Sequence, residues 1–201
     1  MVDYLCKVKK IGLYFGTFNP IHNGHLALGD YFATQTDIDA VWFLVSPQNP
    51  FKVNDSLLAD HHRLAMVQLA VKEIPYLEVC DIEFTLPKPN YTIDTLNQLK
   101  KSHSNLEFIL LMGFDNLVTF HTWKAYESIL NHVTLYVYPR KHSQKLPDQF
   151  LDHNKIKIIQ APLLDYASET LRNLILQKKP FRHLMPSLSF QYLEEHQLYR
   201  S

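Results

Sequence analysis

Short apolar runs, rich in β-branched and aromatic residues, recur along the chain and predict the strands of a sheet. Four of them are continuous rather than alternating, which is typical of strands buried on both faces. The run at 77–84 alternates more, so we expect it toward an edge. The runs are IGLYF (11–15), AVWFLVS (40–46), LEVCDIEF (77–84), EFILLMG (107–113), VTLYVYP (133–139) and IKIIQAP (156–162).

Helical periodicity fills most of the intervals between these runs. Apolar residues stand three and four apart in three intervals, as at Leu28, Tyr31 and Phe32. After Pro186, SLSFQYLEEHQLYR predicts a terminal helix capped by Ser187. Strands that alternate with helices indicate an α/β fold, a Rossmann-like, doubly wound, mostly parallel sheet with helices on both faces. We expect a single domain over 1–201, with a small C-terminal helical part from about 165 to 201.

Composition and charge exclude several classes of protein. The 201 residues are 46% hydrophobic and 20% charged, with 20 Lys+Arg against 20 Asp+Glu. Without a global positive field, nucleic acid is disfavoured as a partner. Cys6 and Cys80 form no metal-binding spacing and are expected to be reduced thiols. Since no run approaches the ~18 apolar residues of a membrane span, we expect a cytoplasmic protein without a membrane partner.

The stretch GTFNPIHNGHL (16–26) follows the first predicted strand and carries the most specific chemistry. Gly16 lets a ligand approach the backbone closely. His22 and His25 fall at a helix start, on one helix face, where free N–H groups and the helix dipole favour anions. Metal binding is disfavoured, because zinc needs at least three protein ligands. The residues alone indicate an anion-binding turn, with a purely structural turn as the alternative.

This stretch resembles the HxGH signature of the nucleotidyltransferase superfamily. Four further segments are similar, in the same order, to those of the bacterial nicotinate-nucleotide adenylyltransferases, and the resemblance spans almost the whole chain. They are SPQNPFK (46–52), KPNYTIDTL (88–96), GFDNLVTFHTW (113–123) and LLDYASETLR (163–172).

The resemblance implies a reaction that belongs to NAD biosynthesis. The adenylyl group of ATP is transferred to nicotinate mononucleotide, giving nicotinic acid adenine dinucleotide and pyrophosphate. A phosphate oxygen is already a nucleophile, so this chemistry requires positioning and charge stabilisation rather than a nucleophilic side chain. Mg²⁺ is expected to arrive with the ATP phosphates, without a metal site built by the protein.

The resemblance also implies roles for individual residues. For ATP it indicates the turn Gly16, Thr17 and Phe18, the pair His22 and His25, and Gly113, Asp115, Ser168 and Arg172. For the mononucleotide it indicates Thr92, Trp123 and Lys52, and it places His22, His25, Lys52 and Arg172 in catalysis. Four of these residues have a structural alternative: Lys52 as a solvated loop lysine, Arg172 as a surface arginine, Trp123 as a core residue, and Asp115 as an N-cap.

One segment departs from the family pattern. When YASETLR is aligned on Arg172, Ala167, Ser168 and Glu169 stand where the family has two serines and a threonine. An alignment shifted by one residue would match Ser168 and Thr170 instead, but it would misplace Arg172. We expect the Glu169 carboxylate to point away from the nucleotide, because it would repel a triphosphate. The departure keeps open a non-catalytic nucleotide-binding protein of the same fold. A related adenylyltransferase using nicotinamide mononucleotide or phosphopantetheine, and a homo-oligomer, also stay open.

Overall fold

A computed structural model describes residues 8–48, 57–140, 147–163 and 167–200. These residues form six β-strands and seven α-helices. The strands are β1 (Lys9–Gly16), β2 (Ala40–Val45), β3 (Leu77–Cys80), β4 (Leu106–Gly113), β5 (Thr134–Tyr138) and β6 (Ile156–Ile158). The helices are α1 (Asn23–Gln35), α2 (Asp60–Val71), α3 (Thr92–Ser102), α4 (Phe114–Thr119), α5 (Tyr126–His132), α6 (Ser168–Leu176) and α7 (Ser187–Glu195).

The six strands form one parallel sheet in the order β3-β2-β1-β4-β5-β6. The strand order reverses between β1 and β4, which is the position where doubly wound sheets bind ligands beyond the carboxyl ends of their strands. The predicted Rossmann-like α/β fold is therefore confirmed. The search for a site narrows to the segments that follow β1 and β4.

Side chains alternate between two cores, one on each face of the sheet. From β1, Ile11 and Leu13 join a core that also contains Leu96 of α3 and Ile129 of α5. Tyr14 points to the opposite core, which α1, α2 and α7 cover. The period of two along β1 thus explains why helices are needed on both faces.

Two details differ from the sequence prediction. The run at 77–84 ends as a strand at Cys80, and Ile82–Thr85 form a 3-10 turn that buries Glu83. Its expected edge position is confirmed, since β3 is the last strand on that side. The prediction of Ser187 as an N-cap was wrong, because Pro186 is the N-cap residue and Ser187 is already the first residue of α7.

Helices α6 and α7 lie in the segment predicted to be a small C-terminal helical part. Ser189 of α7 donates a hydrogen bond of 2.7 Å to the Met66 carbonyl, which ties α7 to α2. That the whole chain forms a single domain stays a prediction. Among the helices of the described ranges, none has the length and apolar character needed to span a membrane.

Candidate active site

Two cavities open at the carboxyl ends of β1 and β4. The first has a volume of about 540 Å³ and the second of about 400 Å³. Both are lined by Phe15, Gly16, Leu111, Met112 and Asn116, so the cavities adjoin at the end of β1. Together they provide two compartments that meet at one backbone turn.

His22 and His25 line the first cavity. Together they cap the N-terminus of α1 by reciprocal hydrogen bonds. His22 is the N-cap residue, and its Nδ1 accepts the His25 N–H at 3.3 Å. The His25 Nδ1 in turn accepts the His22 N–H at 3.2 Å, and the two rings stack with centroids 3.6 Å apart. The predicted pairing of the two histidines is thus observed, with His22 preceding the helix rather than lying within it.

This arrangement assigns the protons of both imidazoles. A ring nitrogen that accepts a hydrogen bond carries no proton, so in the neutral rings the proton resides on Nε2. Each histidine can then offer one Nε2–H donor. Burial lowers the pKa of His22 from 6.5 to about 4, with the charge of Arg140 acting in the same direction. His22 is therefore a neutral hydrogen-bond donor at pH 7.

The packing of the neighbouring Phe18 ring requires a glycine at position 16. A Cβ at Gly16 would come within 2.8 Å of the Phe18 ring, which folds back over the end of β1. Phe18 itself has a φ of 44°, in the left-handed region that bulky residues rarely adopt. Its ring is buried and packs edge-on against His25, with centroids 5.0 Å apart. The packing of the buried Phe18 ring therefore fixes the conformation of the turn.

The N-terminus of α6 also lines the first cavity. The Ser168 hydroxyl donates to the Pro20 carbonyl at 2.8 Å, and Arg172 Nη1 donates to the Asn19 carbonyl at 2.7 Å. Both residues line the cavity, together with Glu169. These two hydrogen bonds fasten α6 to the turn that carries the histidines, and Arg172 is half-buried rather than a surface arginine.

Asp115 lies at the rim of the first cavity beside an arginine that the sequence analysis did not select. The proposed N-cap role of Asp115 is wrong, because Gly113 precedes α4 and Asp115 is its second residue. Asp115 Oδ1 lies 3.7 Å from Arg140 Nε. Gly113 stands behind the pair, where a Cβ would come within 2.3 Å of Asp115 Oδ1. The position of Arg140 two residues after β5, at the edge of the sheet where ligands bind, was the signal that could have identified it.

The second cavity contains the predicted residues Thr92 and Trp123. Thr92 is the first residue of α3, so the start of that helix borders this compartment. Trp123 is half-buried and packs against Phe120 with ring centroids 5.4 Å apart, so it serves the core and the cavity together. Lys124 lines the same wall, with its Nζ 2.8 Å from Asp94 and 4.5 Å from the Tyr91 ring centre.

Two buried acceptors also line the second cavity and were not predicted. Glu83 is 2% exposed and accepts a hydrogen bond of 2.8 Å from Thr95 at Oε1. Its Oε2 and the Asn90 Oδ1 have no hydrogen-bond partner among the described residues. Burial raises the pKa of Glu83.

Lys52 lies outside the described residues, so its assignment stays a prediction. Within the described ranges, no group of three or more His, Cys, Asp or Glu side chains could hold a metal ion. Among the described residues, the charged side chains that line the first cavity are Arg140, Arg172, Asp115 and Glu169.

Comparisons with known proteins show what this chain is similar to. A probable nicotinate-nucleotide adenylyltransferase of Flavobacterium psychrophilum is 46% identical over 95% of this chain and 99% of that protein. One of Cytophaga hutchinsonii, with the same name, is 48% identical over 88% of this chain and 91% of that protein. The fold also matches the Plasmodium falciparum nicotinic acid mononucleotide adenylyltransferase complexed with NaAD, with a TM-score of 0.78 at 21% identity and coverage of 95% and 97%.

The doubly wound sheet and these relatives identify the chain as a nucleotidyltransferase. The model of the cytidylyltransferase-like family matches residues 13–182. Within that class, the chain belongs to the nicotinate-nucleotide adenylyltransferases.

Proposed function

We propose that the protein transfers the adenylyl group of ATP to nicotinate mononucleotide, releasing pyrophosphate and forming nicotinic acid adenine dinucleotide. The observation that carries this proposal is the pair of cavities that meet at Gly16. A dinucleotide product needs two nucleotide compartments joined at the phosphates. The first cavity suits ATP, the second suits the pyridine nucleotide, and the turn at 16–18 lies at their junction.

In the first cavity, the chain would act by holding phosphates. The Nε2–H groups of His22 and His25 and the backbone of Gly16, Thr17 and Phe18 supply donors for the ATP phosphates. Such donors accelerate a reaction when they face the oxygens on which charge develops. The mononucleotide phosphate attacks the α-phosphorus, its oxygen forms the new P–O bond, and pyrophosphate leaves with the electrons of the old one.

Cationic side chains would offset the charge of two nucleotides in one place. Arg172 lies at the α6 end of the first cavity and Arg140 at its rim beside Asp115. We assign Arg172 to the ATP phosphates, with Ser168 beside it, and Asp115 and Gly113 to the adenosine side. Lys52 keeps its predicted role in neutralising charge.

In the second cavity, the lining residues suit a pyridine ring that carries a carboxylate. The indole of Trp123 offers a flat apolar surface for stacking. The helix start at Thr92 favours a carboxylate, and Lys124 adds a positive charge on the same wall. We therefore expect nicotinate mononucleotide to be a better substrate than nicotinamide mononucleotide.

Magnesium would be held mainly by the substrate. Among the described residues, two carboxylates line the first cavity: Asp115, which already faces Arg140, and Glu169, which we expect to point away from the nucleotide. Since Mg²⁺ often keeps waters and binds through substrate phosphates, an ion that arrives with ATP needs no ligand from these side chains. When bound, the ion neutralises charge on the departing pyrophosphate.

The test is pyrophosphate release from MgATP with each mononucleotide in turn. We expect release with both and a higher kcat/KM for the acid. Trp123→Ala should raise the KM of the mononucleotide more than that of ATP, because it removes the stacking surface. Release no greater than the blank with either mononucleotide would refute the enzymatic function and favour a nucleotide-binding protein.

A further inference from the structure

We propose that Arg63 of α2 is a positioning residue that turns the Phe18 N–H toward the first cavity. Arg63 does not reach the cavity itself. It acts through the peptide bond between Thr17 and Phe18, which forms part of the turn after β1. The identity of the bound anion rests on the proposed function, whereas the orientation of the peptide does not.

Arg63 is fully buried, and all five of its N–H donors have acceptors. Four of the acceptors are backbone carbonyls from three separate segments, and the fifth is a carboxylate. They are Leu58 O at 2.9 Å, Thr17 O at 2.6 Å, Ser46 O at 2.9 Å, Pro47 O at 3.2 Å and Asp60 Oδ1 at 2.5 Å. One guanidinium thus joins the turn after β1, the end of β2 and the start of α2.

The bond to Thr17 fixes the direction of the next N–H group. In a trans peptide, the carbonyl and the N–H point in opposite directions across the same plane. Arg63 draws the Thr17 carbonyl toward the core, so the Phe18 N–H points away from it. Thr17 and Phe18 both line the first cavity, and within the described ranges the Phe18 N–H donates to no other group. A buried N–H needs an acceptor, which an anionic ligand in the cavity provides.

The conformation of Phe18 shows why the turn needs such an anchor. A phenylalanine with a φ of 44° is unfavourable unless its surroundings enforce it. The side chain is fixed by its contacts with Tyr14, Phe43 and His25. On the backbone side, Arg63 supplies the charge-assisted hydrogen bond at the preceding carbonyl. Without it, the peptide can rotate toward a more favourable conformation, and the N–H leaves the cavity.

The experiment follows the Phe18 amide by NMR in the full-length protein labelled with ¹⁵N-phenylalanine. Phe18→Leu identifies the signal by its loss, and ATP is the probe. In the parent protein, the Phe18 signal should show one of the largest shifts among the labelled amides when ATP saturates the site. A Phe18 signal that ATP does not move would overturn the proposal without any Arg63 variant.

Arg63→Lys tests the role of the guanidinium, because lysine keeps the charge but has only three donors on one nitrogen. We expect the Phe18 signal of this variant to move before ATP is added, ATP to bind at least tenfold more weakly, and kcat to fall at least tenfold. Arg63→Met should be no better. An Arg63→Lys protein with an unchanged Phe18 response, and ATP affinity and kcat within twofold of the parent, would contradict the proposal.

Ser189→Ala is the matched control for a general loss of stability. It removes another buried hydrogen bond to α2, that to the Met66 carbonyl, and leaves the turn untouched. Its Phe18 signal and ATP affinity should match the parent at a temperature where both are folded. If the parent forms no dinucleotide, the proposed function fails, yet the NMR measurements with ATP still decide the role of Arg63.

Discussion

Two helix N-termini face the first cavity, and they are built differently. At α1, His22 and His25 cap each other and the preceding turn is fixed by buried contacts of Phe18. At α6, the N-cap residue Ala167 makes no side-chain cap, and Glu169 is exposed at the cavity wall. The α1 end is organised by the protein before any ligand binds. The α6 end relies on Ser168 and Arg172, which connect it to α1 through Pro20 and Asn19.

This difference suggests a division of labour between the two ends. Donors that stabilise a transition state must be in place before the reaction, because reorienting them would consume the energy they provide. The α1 end meets that requirement. The α6 end suits ground-state binding of a flexible triphosphate, where a moderate adjustment on binding is tolerated. Variants at α1 should therefore affect kcat, and variants at α6 should affect the KM of ATP.

The largest expected effect concerns the burial of His22. The unfolded chain takes up the His22 proton near pH 6.5, whereas the folded protein does so only near pH 4. The unfolded state thus binds more protons within this window, so the stability of the protein falls as the pH falls from 6.5 to 4. At about 1.4 kcal/mol per pH unit, the contribution is about 3 kcal/mol.

His22→Asn measures this contribution, because asparagine can still cap the helix but does not titrate. Urea unfolding at several pH values should show the parent losing about 3 kcal/mol more than the variant between pH 7 and 4. Parallel curves for the two proteins would mean that His22 is hydrated in solution. The α1 end would then be no more preorganised than the α6 end.

His25→Ala should lower kcat by about 10²-fold or more, the scale expected for a lost donor at developing charge. The KM of ATP should change less than kcat. His103→Ala is the control, since His103 precedes β4 at the opposite end of the sheet. A kcat within threefold of the parent, with an intact circular dichroism spectrum, would remove His25 from the mechanism.

The sheet could be predicted from the sequence, whereas the buried residues that hold the site in place could not. Strands that are buried on both faces require continuous apolar runs, so the fold could be predicted from the sequence. The turn at 16–26 could be predicted because Gly, Pro and His occur together directly after the first of these runs. The buried support comes from residues distant along the chain. Arg63 contacts Thr17 across 46 positions, and nothing in its local sequence marks the residue as buried.

In the second cavity too, the sequence predicted only some of the lining residues. Trp123 and Thr92 were found through their family-like segments, whereas Glu83 and Lys124 were missed. Glu83 belongs to a run whose pattern predicts a strand. In the structure it lies in a 3-10 turn, and its carboxylate accepts a hydrogen bond from Thr95. A carboxylate on an alternating run is usually exposed, so its burial follows only from the packing of α3.

Arg172→Ala tests the α6 end and should raise the KM of ATP at least fivefold, with a smaller change in kcat. The variant loses both a cation near the phosphates and the bond to the Asn19 carbonyl. Arg182→Ala is a matched control, because Arg182 is exposed and its guanidinium packs over Phe190. If Arg172→Ala lowered kcat as strongly as His25→Ala does, the proposed division between the two ends would be wrong.

The smallest effect is expected at Glu169, in the first turn of α6. A carboxylate in the first turn of a helix is favourable toward the helix dipole. The same carboxylate would repel a triphosphate if it turned into the cavity. Glu169 is exposed at the cavity wall, so its side chain has room to point toward solvent. Glu169→Gln removes the charge at nearly constant size and should change the KM of ATP less than twofold. A large fall in that KM would show that the carboxylate faces the phosphates. The α6 end would then weaken ATP binding by its own sequence, and a protein that binds nucleotide without turnover would become the better description of this chain.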